Sequence, residues 1–172
     1  MNIVLIGYMA SGKSKIGVEI AKMLNYTFQD LDNVIEKGED KTIKEIFTDS
    51  GELYFRKKEK AYLDLLVKKS SNTIISLGGG TPCYYDTMEK LLANKDLKTV
   101  YLNVSIAVLV NRLNNEKSKR PLISHIKTDE LLMEFIGKHL FERASYYNMS
   151  EVKINANGKV EDIIEDILLQ LF

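Results

Sequence analysis

The segment Gly7-Tyr8-Met9-Ala10-Ser11-Gly12-Lys13-Ser14 carries residue types and a spacing that suit phosphate chemistry. Its two glycines permit backbone conformations closed to residues with a Cβ. Such a loop turns successive N–H groups inward and makes a concave anion site. A helix beginning near Lys13 adds the positive end of its dipole. Lys13 can reach the outer phosphates of a nucleotide, and the Ser14 hydroxyl can ligate Mg²⁺. The apolar run Ile3-Val4-Leu5-Ile6 before it reads as a strand and the pattern after it as an amphipathic helix, which is the setting this motif requires.

Other residues fit chemistry less uniquely. Asp30 and Asp32 would face opposite ways along an extended chain. One of them could approach Mg²⁺ through water while the other accepts a hydroxyl hydrogen bond. Asp32 also precedes Asn33-Val34-Ile35-Glu36, where an N-capping aspartate accounts for it equally well. Arg56 and Glu59 share a helix face, and on spacing alone they read as a surface ion pair of small energetic value. Gly78-Gly79-Gly80, after Ile74-Ile75-Ser76-Leu77, makes sense where a ligand must touch the main chain, with a plain turn as the alternative. Arg143, late on a helix, reads by itself as a surface arginine. Asn114 to Lys127 is polar, basic and interrupted by Pro121. Beside a phosphate site it reads as a lid carrying Lys117, Lys119 and Arg120, and otherwise as a solvated loop. His125 and His139 have no metal-ligand partners at recognisable spacing and read as structural or solvated.

Short apolar runs alternate with helical patterns and must position these groups. Strands are expected at Ile3–Ile6, Thr27–Asp30, Thr73–Leu77, Thr99–Asn103 and Val152–Asn155. Helices are expected at Ser14–Asn25, Asp32–Glu36, Ile43–Lys69, Tyr84–Asn94, Ser105–Leu113, Thr128–Tyr147 and Val160–Leu169. This alternation implies a parallel sheet with helices on both faces, and ligands bind such sheets at the carboxyl ends of the strands. The chain of 172 residues fits a single domain. Its 24 basic residues balance 24 acidic ones, which argues against broad nucleic-acid or anionic-membrane binding. The one cysteine, Cys83, cannot form an internal disulfide and reads as a half-buried bystander in a reducing compartment. No secretory signal and no membrane-length apolar run is seen, so a cytoplasmic location is expected.

Taken together, the motifs resemble those of shikimate kinase over nearly the whole chain. The family's Asp-x-Asp is similar to Asp30-Leu31-Asp32, and its following Ile-Glu to Ile35-Glu36. Its Gly-Glu-x-x-Phe-Arg-x-x-Glu resembles Gly51-Glu52-Leu53-Tyr54-Phe55-Arg56-Lys57-Lys58-Glu59, after Ile43-Lys44-Glu45-Ile46-Phe47. Its triple glycine is similar to Gly78–Gly80, its lid Arg-Pro-Leu to Arg120-Pro121-Leu122, and its late Arg-x-x-x-Tyr to Arg143–Tyr147. The resemblance implies a three-layer α/β sandwich of nucleoside monophosphate kinase type, with a five-stranded parallel sheet. It implies one kinase domain over 1–172, a substrate-binding region near 32–60 and a lid near 113–126. The implied reaction is ATP-dependent phosphorylation of the shikimate 3-hydroxyl.

Carried over, Gly7, Ala10, Ser11, Gly12, Lys13, Ser14 and Lys15 hold the phosphates of ATP, with Arg112 and Arg120 closing on the nucleotide. Ser14 ligates Mg²⁺ and Asp30 approaches it through water. Lys13 and Arg120 neutralise charge on the transferring group. Asp32 accepts bonds from ring hydroxyls and takes the proton. Arg56 and Arg143 hold the carboxylate, and Gly78, Gly79 and Gly80 complete the pocket. The expected partners are shikimate and ATP, with the chain acting as a monomer. The chain departs from the family pattern in three places. Lys15 replaces a hydroxyl residue, Arg112-Leu113-Asn114 replaces Arg-Thr-Gly, and Ser145 stands where proline is common. The competing expectations are another kinase of this fold, such as a gluconate kinase, and a non-catalytic ATP-binding module.

Overall fold

Asn2–Ile6 forms β1, and its unbroken apolar run reflects a central position: Ile3, Val4, Leu5 and Ile6 are all fully buried. In this computed structural model, which describes residues 1–116 and 122–172, β1 pairs with β3 (Thr73–Ser76) on one side and β4 (Leu97–Asn103) on the other. The edges are β2 (Thr27–Asp30), against β3, and β5 (Val152–Asn155), against β4. The order is β2-β3-β1-β4-β5 with every pairing parallel, as expected for an α/β sandwich.

Parallel strands need crossovers, and helices supply them. Helix α1 (Lys13–Leu24) joins β1 to β2, and α2 (Leu31–Glu39) with α3 (Ile43–Lys69) joins β2 to β3. A 3₁₀ turn (Thr81–Cys83) and α4 (Thr87–Ala93) lead to β4. Helices α5 (Ile106–Asn114) and α6 (Asp129–Tyr147) lead to β5, and α7 (Val160–Leu171) follows. The β1-to-β2 and β3-to-β4 connections run in opposite directions across the sheet. Right-handed crossovers therefore put α1 and α4 on opposite faces, and α7 returns to pack on α1.

Three sequence expectations need correction. Tyr84–Asn94 is not one helix: Pro82 sits in the 3₁₀ turn, and α4 starts only at Thr87. Asp32–Glu36 is the middle of a longer helix that begins at Leu31. The stretch Ile43–Lys69 is broken at Gly51, whose φ of 79° and ψ of 174° are not helical. Added methyl space is free at Gly51, so its backbone angles, not crowding, explain the glycine. The kink sets a new direction for the half of α3 that carries Glu52, Arg56 and Glu59.

Register brings the functional loops level. Leu5 and Asp30 both pair with Ser76, so β1, β2 and β3 end at one rim. The loop from Gly7 to Gly12, the start of α2 and the Gly78–Gly80 triplet all leave from there.

Candidate active site

The phosphate loop wraps the start of α1. Gly12 is the N-cap residue of that helix, and its left-handed φ of 98° is costly for any residue with a Cβ. Gly7 is explained by space instead of freedom: a Cβ there would stand 2.7 Å from Ser11 Oγ and 3.1 Å from the Leu102 carbonyl oxygen. Ala10 takes a φ of 61°, part of the same tight wrap. No acidic side chain occupies the first turn of α1, leaving its N–H groups to an anion. Lys13 Nζ lies back across the loop, donating to the carbonyls of Gly7 (2.8 Å) and Tyr8 (3.0 Å).

Asp30 is the last residue of β2 and Asp32 lies in the first turn of α2. Because the chain turns helical at Leu31, both carboxylates line one cleft and do not point apart. Asp30, not Asp32, is the N-cap: its Oδ1 accepts from the Asp32 N–H at 3.1 Å. Its Oδ2 accepts from Ser14 Oγ at 3.1 Å, so a hydroxyl and a carboxylate meet beside the loop. Such oxygen donors suit a hard divalent cation. Among the described residues no group of three His, Cys, Asp or Glu side chains could hold a metal. A cation here would need ligands from bound phosphates.

The capping role excluded, Asp32 is free to serve the cleft. Burial, then the neighbouring carboxylates of Asp30 and Glu59, push its pKa up to about 6, with Lys13 pulling the other way. The cleft of about 530 Å³ is lined by residues 9–16, Asp30, Asp32, Gly78, Gly79 and Arg112 among others. Lys15 lines it too. Arg112 is fastened at its far side, donating to the carbonyls of Ala10 (3.1 Å) and Ala156 (2.9 Å). Arg120 lies outside the described residues, with Lys117 and Lys119. Asn114 at the end of α5 donates to Asp129 at the start of α6, holding the flanks of that segment together.

The glycine triplet is where the structure is most informative. None of its residues has positive φ; what they provide is room. A Cβ on Gly80 would fall 2.7 Å from Arg56 Nη2, one on Gly79 3.3 Å from Arg143 Nη1, and one on Gly78 3.3 Å from Asp32 Oδ1. Both guanidinium groups also act on the Cys83 thiol, opposing the rise that burial imposes on it. Arg56 from α3 and Arg143 from α6 therefore share one pocket with Asp32, although the two helices are far apart in sequence. Arg56 and Arg143 do not line the phosphate cleft, whereas Asp32, Gly78 and Gly79 beside them do.

Arg56 and Glu59 are not a surface pair. The Glu59 side chain is 2% exposed and that of Arg56 13%, with Nη1 donating to Glu59 Oε2 at 2.8 Å. The other Glu59 oxygen accepts from Thr81 Oγ1 at 2.7 Å. The signal was present: Phe55, Glu59 and Leu63 lie four residues apart, so the carboxylate falls on the buried stripe of its helix. Sequence reasoning also missed Tyr8 and gave Tyr147 no role of its own. Tyr147 donates to the Gly79 carbonyl, pinning α6 one turn beyond Arg143, and burial raises its hydroxyl well above the usual tyrosine range. The buried Tyr8 ring lies under Arg143 at 5.6 Å, and its hydroxyl bonds His139 Nδ1 at 3.0 Å. His139 is thus structural, and burial lowers its pKa.

An anion cradle bordered by a carboxylate, then by two guanidinium groups over a glycine floor, suits a phosphate donor facing an acidic acceptor. The family profile described as "Shikimate kinase" matches residues 9–172. The chain belongs to the shikimate kinase family. The shikimate kinase of Flavobacterium johnsoniae is 47% identical, over 96% of each chain. The crystal structure of shikimate kinase from Bacteroides thetaiotaomicron superposes with a TM-score of 0.91 at 39% identity, covering 99% of both chains. Shikimate kinase from Acinetobacter baumannii, solved in complex with shikimate, gives a TM-score of 0.84 at 28% identity, covering 99% of this chain and 92% of that one. Membership of this shikimate kinase family makes the chain an ATP-dependent kinase. Among the described residues no helix is long and apolar enough to cross a membrane.

Proposed function

We propose that the chain transfers the γ-phosphoryl group of ATP to the 3-hydroxyl of shikimate, giving 3-phosphoshikimate and ADP. The observation that carries this reading is the glycine triplet, with Arg56, Arg143 and Asp32 drawn against it at the edge of the phosphate cleft. Two guanidinium forks suit a planar carboxylate. Asp32, ionised above its pKa of about 6, accepts hydrogen bonds from ring hydroxyls and takes the proton of the attacking one. The N–H groups of Gly79 and Gly80 complete that pocket. The N–H groups of the loop from Gly7 to Lys15, with Lys13, hold and neutralise the phosphates. Ser14, with Asp30 through water, would hold Mg²⁺, which when bound offsets charge on the phosphate oxygens. Arg112, which lines the cleft, would stack its guanidinium plane on the adenine ring. Arg120 adds positive charge from a lid over 113–126, and 32–60 is the acid-binding region of a single domain over 1–172. The protein acts as a monomer in the cytoplasm, in keeping with its one free thiol, Cys83.

A coupled assay for ADP release with Mg-ATP tests this directly. Shikimate should support turnover and gluconate should not. Turnover on gluconate alone would move the reading to another sugar-acid kinase, and ATP binding without turnover on either acid would leave a non-catalytic module. Amide hydrogen exchange across 113–126 should slow on nucleotide binding; equal protection with and without nucleotide would remove the lid.

A further inference from the structure

Arg56 is held more closely than its partner arginine. Glu59 takes its Nη1, and Gly80 lies against its Nη2. Its third nitrogen, Nε, is buried and makes no hydrogen bond, but lies 3.5 Å from Glu52 Oε1. The same Glu52 oxygen accepts from the Tyr84 hydroxyl at 2.7 Å. The Tyr84 ring in turn faces the Arg56 guanidinium carbon at 4.1 Å, well within cation–π range. Glu52 follows the Gly51 kink in α3, and Tyr84 follows the 3₁₀ turn after the glycine triplet. One carboxylate and one ring therefore tie two segments together across a single guanidinium. The two partners respond consistently: the shared bond holds the Glu52 carboxyl below its usual range and the Tyr84 hydroxyl above its own.

We propose that Tyr84 and Glu52 form a latch that sets the plane and height of Arg56 over the glycine floor, and so tunes the affinity for the acid substrate without touching it. The ring fixes the guanidinium plane, and the hydroxyl bond to Glu52 fixes the ring. Nη2 is left beside Gly80. Tyr84 is 37% exposed, so removing its ring leaves the core intact.

This inference rests on the shikimate reading, and kinetics on the whole chain test it. Tyr84→Leu should raise the shikimate KM about tenfold while kcat and the ATP KM stay within about twofold. Tyr84→Phe keeps the ring but breaks its bond to Glu52, and should give a shikimate KM between those of wild type and Tyr84→Leu. In an Arg56→Lys background, Tyr84→Leu should add little, because the latch acts only through Arg56. An unchanged shikimate KM in Tyr84→Leu overturns the latch, as does an undiminished effect in the Arg56→Lys background. Should Tyr84→Leu fail to fold, Glu52→Ala, which removes the acceptor of the Tyr84 hydroxyl, takes its place, with a shikimate KM equal to wild type as the overturning result. The Arg56 Nε–H resonance reports the same contact without substrate: the Tyr84 ring should shift it upfield, and Tyr84→Phe should preserve that shift. A wild type silent toward shikimate overturns the kinase reading alone, and an Arg56 resonance indifferent to Tyr84 overturns the latch alone.

Discussion

The phosphate loop and the acid pocket are built on opposite plans. The loop is one stretch of nine residues, Gly7 to Lys15, that works mainly through backbone N–H groups and a helix end. The acid pocket takes Asp32 from α2, Arg56 and Glu59 from α3, the glycine triplet after β3, and Arg143 and Tyr147 from α6. Apart from the glycine backbone its groups are side chains brought from separate helices, and Arg56 is held by another of them, Glu59. The first plan depends on local geometry and tolerates change elsewhere. The second depends on four segments keeping their distances, so it is sensitive to changes far from the substrate.

Perturbing each plan at its centre should show this contrast. Lys13→Met removes the long cation that lies across the loop, and should lower kcat by roughly 10³-fold or more with the fold retained. Residual turnover near wild type would take the phosphates away from this loop. Asp32→Asn should lower kcat by roughly 10²-fold, and wild-type kcat/KM should rise with pH through about 6 as Asp32 ionises. A pH-independent rate between 5 and 7 would strip Asp32 of its role.

The same residue makes a stability prediction of opposite sign. Asp32 holds its proton more tightly folded than unfolded, because burial and the Asp30 and Glu59 charges oppose ionisation. Stability is therefore lost as pH rises from about 4 to about 6 and stays lower above. Asn carries no such cost. Asp32→Asn should melt higher than wild type at pH 7.5, by on the order of 5 °C, with the gap closing below about pH 4. A gap that widened in acid would refute the cause assigned to the shift.

Smaller effects sharpen the comparison. Arg143→Ala should raise the shikimate KM by roughly 10- to 30-fold, the worth of a charged hydrogen bond, with ATP affinity nearly unchanged. Equal loss for both substrates would mean that α6 serves the loop through Tyr8 as much as the acid. Gly51→Ala should cost about 1–3 kcal/mol, since its φ of 79° and ψ of 174° are nearly closed to alanine. It should also raise the shikimate KM a few-fold, through Arg56, leaving ATP alone. Denaturant melts and initial rates would show both, and an unstrained, fully active variant would relocate the hinge of α3.

How far the chain could be read follows the same division. The alternation of apolar runs with helical patterns was enough for the sheet and its crossovers, because a run such as Ile3–Ile6 has no other stable place than a doubly covered strand. The continuous helix over 43–69 was misread because composition does not show that Gly51 is used for its φ. Asp32 looked like a cap because capping and catalysis favour the same residue at the same place. The start of α2 at Leu31, with Asp30 as its cap, frees it.

By itself, the order of residues determined the fold class, through the alternation of apolar runs with helical patterns, and the anion cradle, which arises from interactions between neighbours along the chain. Only the tertiary structure decided that Glu59 is buried under Arg56, that Tyr147 pins Gly79 and that two distant arginines share a glycine floor. Those facts depend on how helices seat on the sheet. Side-chain periodicity says which face of a helix is covered, and nothing in it says what the covering residue will be.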